Sequence, residues 1–171
     1  MANQVTKKEL HRIVSTAIIV KNGQYLIVQR SFKQKVFPGQ WTVPGGGLEV
    51  EDYINTPKTT KDTWYLAIEN SLRREIKEEV GLTVGKINYL LDMVFIRPDG
   101  IPVVVLSFWA KYKSGQVKLD TRESVNYRWV SSKELKNYDL IEGIAQEIEM
   151  VDKILRKGSS DGINFRYKKR L

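Results

Sequence analysis

Residues 73–82 read RREIKEEVGL and set Glu75, Glu78 and Glu79 close together beside Arg73 and Arg74. Around them Ile68, Leu72, Ile76 and Val80 recur at every fourth position. That period predicts a helix from about Trp64 to Val80 with one apolar stripe. Gly81 then fits the left-handed position just beyond the helix end. On such a helix the three glutamates stand at i, i+3 and i+4 and share a face, with Cβ atoms about 6 Å apart. Like charges at that spacing repel. A hard divalent cation, which binds carboxylate oxygens, would turn the repulsion into attraction. Arg74 lies four residues before Glu78 and is placed to pair with it. The same letters also describe a solvated charged face with pairs to Arg74 and Lys77.

Outward from the helix, residues 12–30 (RIVSTAIIVKNGQYLIVQR) form two β-rich runs around Asn22-Gly23, the sequence of a tight hairpin turn. Pro38-Gly39 marks a turn, residues 41–43 a short strand, and Pro44-Gly45-Gly46-Gly47 a sharp loop. Residues 50–64 have no steady period and read as an exposed loop. Downstream, residues 87–112 read as a second hairpin turning at Arg97-Pro98-Asp99-Gly100. Residues 125–130 read as a strand. Ser131 or Ser132 caps a short helix, and residues 140–157 form an amphipathic helix with Ile144, Ile148, Val151 and Leu155 on one side. Strands and helices mix without strict β-α-β alternation, which predicts an α+β fold or mixed-sheet sandwich.

The stretch WTVPGGGLE (41–49), followed by REIKEEVGL (74–82), resembles the Nudix box of the MutT-like Nudix hydrolases. Arg74, Glu75, Ile76, Glu78, Glu79, Gly81 and Leu82 fit its second half, and Gly45, Gly46, Leu48 and Glu49 its first. The resemblance implies the Nudix fold, a mixed sheet sandwiched between helices (α/β/α), over residues 1–157. It leaves 53–66 as an inserted loop and 158–171 as a basic tail. Because of the insertion, Asp52 or Glu51 takes the place of a glutamate usual in the box.

The implied activity is hydrolysis of a pyrophosphate bond in a nucleoside diphosphate linked to a group X. A nucleoside triphosphate leads; ADP-ribose or a nucleotide sugar is the alternative. Mg²⁺ or Mn²⁺ would bind Glu75, Glu78, Glu79 and Glu123, with help from the Gly45 carbonyl. Glu75, Glu78, Arg74 and Glu123 would carry the catalysis. Arg30, Trp41, Gly46 and Asp52 fall on the substrate side, although core packing competes for Trp41 and pairing with Arg122 for Glu123. The insertion, with Tyr53, Trp64, Tyr65, Lys58 and Lys61, is either a lid over the substrate or a plain surface loop.

Composition sets the remaining bounds. Lys and Arg number 28 against 20 Asp and Glu, a net charge of +8 that favours anionic partners. Cysteine is absent, which excludes disulfides and thiolate metal sites. There is no long apolar run for a membrane span and no apolar core in MANQVTKKEL for a secretory signal, so a cytoplasmic monomer or homodimer is expected. The basic tail, with Arg166, Lys168, Lys169 and Arg170, leaves RNA open as a partner. A nucleotide-binding module without catalysis would be expected to lose box carboxylates that this chain retains.

Overall fold

The computed structural model describes residues 10–165. Strands β1 (Arg12–Lys21) and β2 (Gln24–Arg30) form the expected hairpin, with Asn22 and Gly23 both at positive φ. They pair with each other only next to the turn, at Val20–Tyr25 and Lys21–Gln24, and then diverge. Into that fork come the short strand expected at residues 41–43 and, after it, the segment expected to be a sharp loop. β3 (Trp41–Thr42) pairs with β2, and β4 (Gly45–Gly47) pairs with β1. The glycine loop is therefore a strand. Its pattern carries no β signal, because the neighbouring open strand edges impose the conformation. Pro44, which lacks an N–H donor, sits where the segment changes partner, and its carbonyl accepts the Ala17 amide at 2.8 Å.

β5 (Thr83–Ile96) and β6 (Pro102–Ser114) form the second hairpin, and β6 lies parallel to β1. β7 (Ser124–Val130) pairs with the outer side of β2, completing a seven-stranded mixed sheet.

Residues 50–64 are not wholly irregular: α1 (Glu51–Ile54) is one short helical turn. The helix that carries the carboxylates, α2 (Ala67–Val80), starts later than its periodicity suggested. Leu66 takes a left-handed φ of 61°, and Trp64 packs instead with Tyr53 of the insertion. Gly81 ends α2 at φ 73° as expected. A 3₁₀ turn (Leu135–Asn137) replaces the short helix after β7, with both the amide and hydroxyl of Ser131 bonded to the Glu134 carboxylate. The last helix, α3 (Ile144–Lys157), begins after Gly143 rather than at residue 140.

Alternation along β1 and β2 divides the core between two faces. Ala17, Ile19, Leu26 and Val28 pack under Leu72, Ile76 and Val80 of α2. Ile18, Val20, Tyr25 and Ile27 pack under Ile144, Ile148 and Val151 of α3. A sheet covered on both sides explains why Ala17–Val20 is an unbroken apolar run. Polar contacts fasten α3: Asp152 accepts hydrogen bonds from the Tyr25 hydroxyl at 2.9 Å and the Ser132 hydroxyl at 3.3 Å, and pairs with Arg156 at 2.7 Å. No helix among the described residues is long and apolar enough to cross a membrane. The four basic residues of the tail, Arg166, Lys168, Lys169 and Arg170, lie outside the described residues.

Candidate active site

The expected single acidic face of α2 divides into three environments. Glu78 points outward, its side chain 59% exposed, and pairs with Arg74 at 2.8 Å. Glu75 is turned toward the glycine strand, 13% exposed and 3.0 Å from Arg74. Glu79, 6% exposed, is inside the protein. The burial has a specific cause, since each Glu79 oxygen has a donor. The Gly45 amide donates to one at 3.0 Å and the Ser124 hydroxyl to the other at 2.7 Å. The apolar stripe and Glu79 thus lie on adjoining sides of the helix, and both are held by the sheet.

Burial pushes the Glu79 carboxyl up to about 7, against the opposing pull of its two hydrogen bonds, and the charges of Glu123 and Glu75 push in the same direction. Glu75 is also raised, chiefly by burial, with Glu123 and Glu78 adding to it. Four carboxylates from α2 and the segment before β7 therefore share one negative field. Among the described residues, no three acidic or histidine side chains are gathered into an assembled metal shell. The chemistry of the set nonetheless suits a hard divalent cation. It offers oxygen donors only, and Glu79 is buried on two neutral donors, the Gly45 amide and the Ser124 hydroxyl.

Asp52, expected on the substrate side, is engaged by Arg74. Its carboxylate is 3% exposed and accepts Arg74 Nε and Nη2, the latter at 3.0 Å. The hydrogen bond from Arg74 is the main reason that Asp52 titrates low, at about 2. Asp52 thus fixes Arg74, and Arg74 in turn meets Glu75 and Glu78. Glu51, the other candidate for that place, is exposed. Gly46 stands against Glu75 so closely that a Cβ there would meet its carboxylate at 2.2–2.4 Å. Trp41 packs edge-on against Tyr138, with ring centroids 5.0 Å apart, in the core under α3. It is a wall of the fold more than a free stacking face. Arg122 pairs with Asp120 rather than with Glu123, so Glu123 is not committed to that arginine.

A sequence profile of the NUDIX domain matches residues 9–151. The chain belongs to the Nudix family. It is similar to the nucleoside triphosphatase NudI of Klebsiella pneumoniae (strain 342), with 33% identity over 139 residues, covering 75% of this chain and 88% of that protein. NudI of Escherichia coli (strain K12) is 32% identical over 139 residues, covering 75% of this chain and 88% of its own length. The fold is shared with the MutT NUDIX hydrolase of Burkholderia pseudomallei, at a TM-score of 0.65 and 23% identity, covering 82% of this chain and 98% of that one. It is shared too with the NUDIX domain of Shewanella oneidensis NrtR complexed with ADP ribose, at a TM-score of 0.66 and 18% identity over 86% and 90% of the two chains. The resemblance of the box is thus family membership, and the chain is a Nudix pyrophosphohydrolase.

Beside the Nudix carboxylates lie residues that the sequence did not single out. Ser124 is one: it is 1% exposed and holds Glu79 from β7. Nothing in a serine 45 residues away signals that contact. Arg30, which was expected, is placed by its neighbours. Its Nε donates to the Val36 carbonyl at 3.0 Å and its Nη2 to Gln34 at 3.4 Å. Burial lowers its pKa, while Glu79 and Glu123 raise it and Arg97 lowers it. The arginine thus pins the 31–37 loop and also faces the acidic field.

Proposed function

We propose that this Nudix enzyme hydrolyses a nucleoside triphosphate, using Mg²⁺ or Mn²⁺ held by Glu75, Glu78, Glu79 and Glu123 with the Gly45 carbonyl. The observation that carries the metal assignment is the buried Glu79 with the half-buried Glu75 beside Gly45 and Gly46, in a field that Glu78 and Glu123 make more negative. The NudI relatives support the substrate class, as nucleoside triphosphatases by name.

When bound, a divalent cation neutralises phosphate oxygens and makes a coordinated water a better nucleophile. The chain's own groups do the positioning. Asp52 locks Arg74, and Arg74 orients Glu75 and Glu78. Gly46 leaves the space that Glu75 occupies. Arg30 offers positive charge next to Glu79 and Glu123, suited to an oxygen of the phosphate chain. Phosphoryl transfer needs little covalent chemistry from protein, so position and charge carry the rate.

The test is release of phosphate or pyrophosphate from the common ribo- and deoxyribonucleoside triphosphates, with ADP-ribose and nucleotide sugars alongside, with and without Mg²⁺ or Mn²⁺. Metal-dependent cleavage of triphosphates is the expected result. Cleavage of ADP-ribose alone would overturn the substrate class, and no cleavage of any compound would overturn the metal-hydrolase reading.

A further inference from the structure

β5 is an edge of the sheet and pairs with β6 alone. Its register slips between Val84 and Ile87, where Gly85 and Lys86 together face the single residue Lys111, and again between Tyr89 and Leu91. Such bulges bend a strand and re-aim its side chains. The first one sets two lysines against each other across the strand pair, and like charges so placed repel. Both lysines are exposed, and neither has an ion-pair partner among the described residues.

Between this stretch of β5 and α3 runs a groove of about 860 Å³, within the roughly 300–1,000 Å³ usual for small-molecule sites. The sheet contributes Leu90 and Trp109 to it, and α3 contributes Met150, Ile154 and Leu155. Leu90, Trp109 and Leu155 are only half-buried and carry the core under α3 outward into the groove. α3 stops at Gly158, φ 76°, whose amide donates to the Ile154 carbonyl at 2.8 Å. The chain then turns through Ser159 and Ser160, with Ile163 N–H donating to the Ser160 carbonyl at 3.1 Å, and these residues also line the groove. Lys86 and Lys111 stand in the lining, and no Asp or Glu does. An apolar trough thus meets a doubly positive rim. It lies on the α3 side of the sheet, and none of its lining residues belongs to the carboxylate site on α2.

We propose that this groove binds a small amphipathic anion, with a carboxylate or phosphate head between Lys86 and Lys111 and an apolar body along Leu90, Trp109 and Leu155. The head relieves the repulsion between the lysines, and the body covers half-exposed apolar surface. Other occupants fit less well. The residues after Phe165 are Arg, Tyr, Lys, Lys, Arg and Leu, a basic stretch that would add to the positive charge already there. A second copy laid groove to groove would set lysines on lysines. An added peptide strand needs an unbroken edge, which the two bulges interrupt. The site does not depend on the triphosphatase reading, because it shares no residue with it.

The experiment uses the full chain and follows backbone amide shifts by NMR during titration with decanoate and with decyl phosphate, both kept below micelle-forming concentrations. Butyrate and octanoate test the body, and decylammonium, the same body with the opposite charge, tests the head. The expected result is saturable shifts centred on residues 86–90, 109–111 and 150–163, with affinity rising from butyrate to decanoate and decylammonium bound about tenfold more weakly or worse. Binding of only one of decanoate and decyl phosphate would identify the head group and support the site. The double variant Lys86→Glu, Lys111→Glu, checked by circular dichroism and melting temperature, should weaken the preferred anion by about tenfold or more. Should it fail to fold, the pair Lys86→Gln, Lys111→Gln removes the charge without reversing it and must still weaken binding by about threefold or more.

Equal binding of decylammonium and decanoate would overturn the proposal, as would butyrate binding as tightly as decanoate. Shifts centred elsewhere on the molecule, unchanged affinity in a folded variant, or no saturable binding of any anion in the series would overturn it too.

Discussion

Gly45 and Gly46 are neighbours, yet the same substitution should act on them in opposite ways. A Cβ on Gly46 meets the tip of Glu75 at 2.2–2.4 Å, and a glutamate tip can move aside. Gly46→Ala should therefore fold and melt within a few degrees of the parent, while kcat/KM falls by about tenfold or more because Glu75 is displaced. A Cβ on Gly45 meets the Ser15 carbonyl oxygen at 2.2 Å and Thr16 Cα at 2.7 Å, atoms of the paired strand that cannot turn away. Gly45→Ala should cost about 3 kcal/mol in chemical denaturation, the scale of a forced backbone shift. Glu79→Gln gives a third pattern. It keeps the shape that Gly45 and Ser124 grip and removes a buried charge, so the metal-free protein should melt no lower than the parent. Steady-state turnover with Mg²⁺ should still fall by about a hundredfold, since one charged donor near the reacting phosphates is gone. Normal turnover in Glu79→Gln would remove it from the ligand set.

At the scale of elements, α3 carries a carboxylate that the catalytic site does not use. Glu147 is 1% exposed, is hydrogen-bonded to Ser107, and has an Oε2 without a partner. Burial raises its carboxyl from 4.5 to about 6. Between those values the unfolded chain gives up its proton before the folded one does. Stability should therefore fall as pH rises through that window and level off above it. The difference amounts to about 2 kcal/mol. In Glu147→Gln this part of the slope should be absent from urea melts taken at pH 4.5 and pH 7, and the variant should gain on the parent at the higher pH.

The insertion is a second case. It is stitched to itself by Trp64 Nε1 donating to the Thr56 carbonyl at 3.1 Å, by the Tyr53–Trp64 contact at 5.3 Å and by Lys58 lying 5.2 Å over Trp64. None of it lies in either core cluster. Shortening residues 55–64 should leave metal-dependent turnover in place and raise KM or widen the substrate range; unchanged kinetics, with equal protease sensitivity with and without nucleotide and metal, would reduce the insertion to a surface loop. The hairpins and α2 were legible because Asn22-Gly23, Arg97-Pro98-Asp99-Gly100 and the fourfold apolar repeat are local signals. Strand β4 was not legible, since three glycines have no strand preference and the pairing comes from β1. The burial of Glu79 was not legible either, because it depends on Ser124 of a distant strand. Asp52 was found by spacing, but only the fold showed that Arg74 claims it.

Across the whole molecule, the glycine strand behaves as core although its composition is that of a loop. Ala17 N–H is bonded to the Pro44 carbonyl, Gly45 N–H to Glu79, and Leu48 N–H to the Ile13 carbonyl. Amide hydrogen exchange at Ala17, Gly45 and Leu48 should therefore be as slow as in the centre of β1, while Thr59 and Thr60 in the insertion exchange orders of magnitude faster. Fast exchange at Gly45 would show that the grip of Glu79 does not persist in solution.

The divergence of β1 and β2 carries a consequence for the site as a whole. One arm holds β2, β3 and β7, with Arg30 and Ser124; the other holds β1, β4, β6 and β5, with Gly45 and Arg97 next to the end of β5. The arms are like those of a pair of tongs joined at the Asn22-Gly23 bend, and residues 41–47 are the tie between them. Glu79 touches both arms at once, through Gly45 and Ser124. Residues 41–47, paired with β2 at one end and β1 at the other, span the opening of the jaws. A substitution at Pro44 that alters the crossing would thus tune the grip on a ligand from a residue that holds neither metal nor substrate itself.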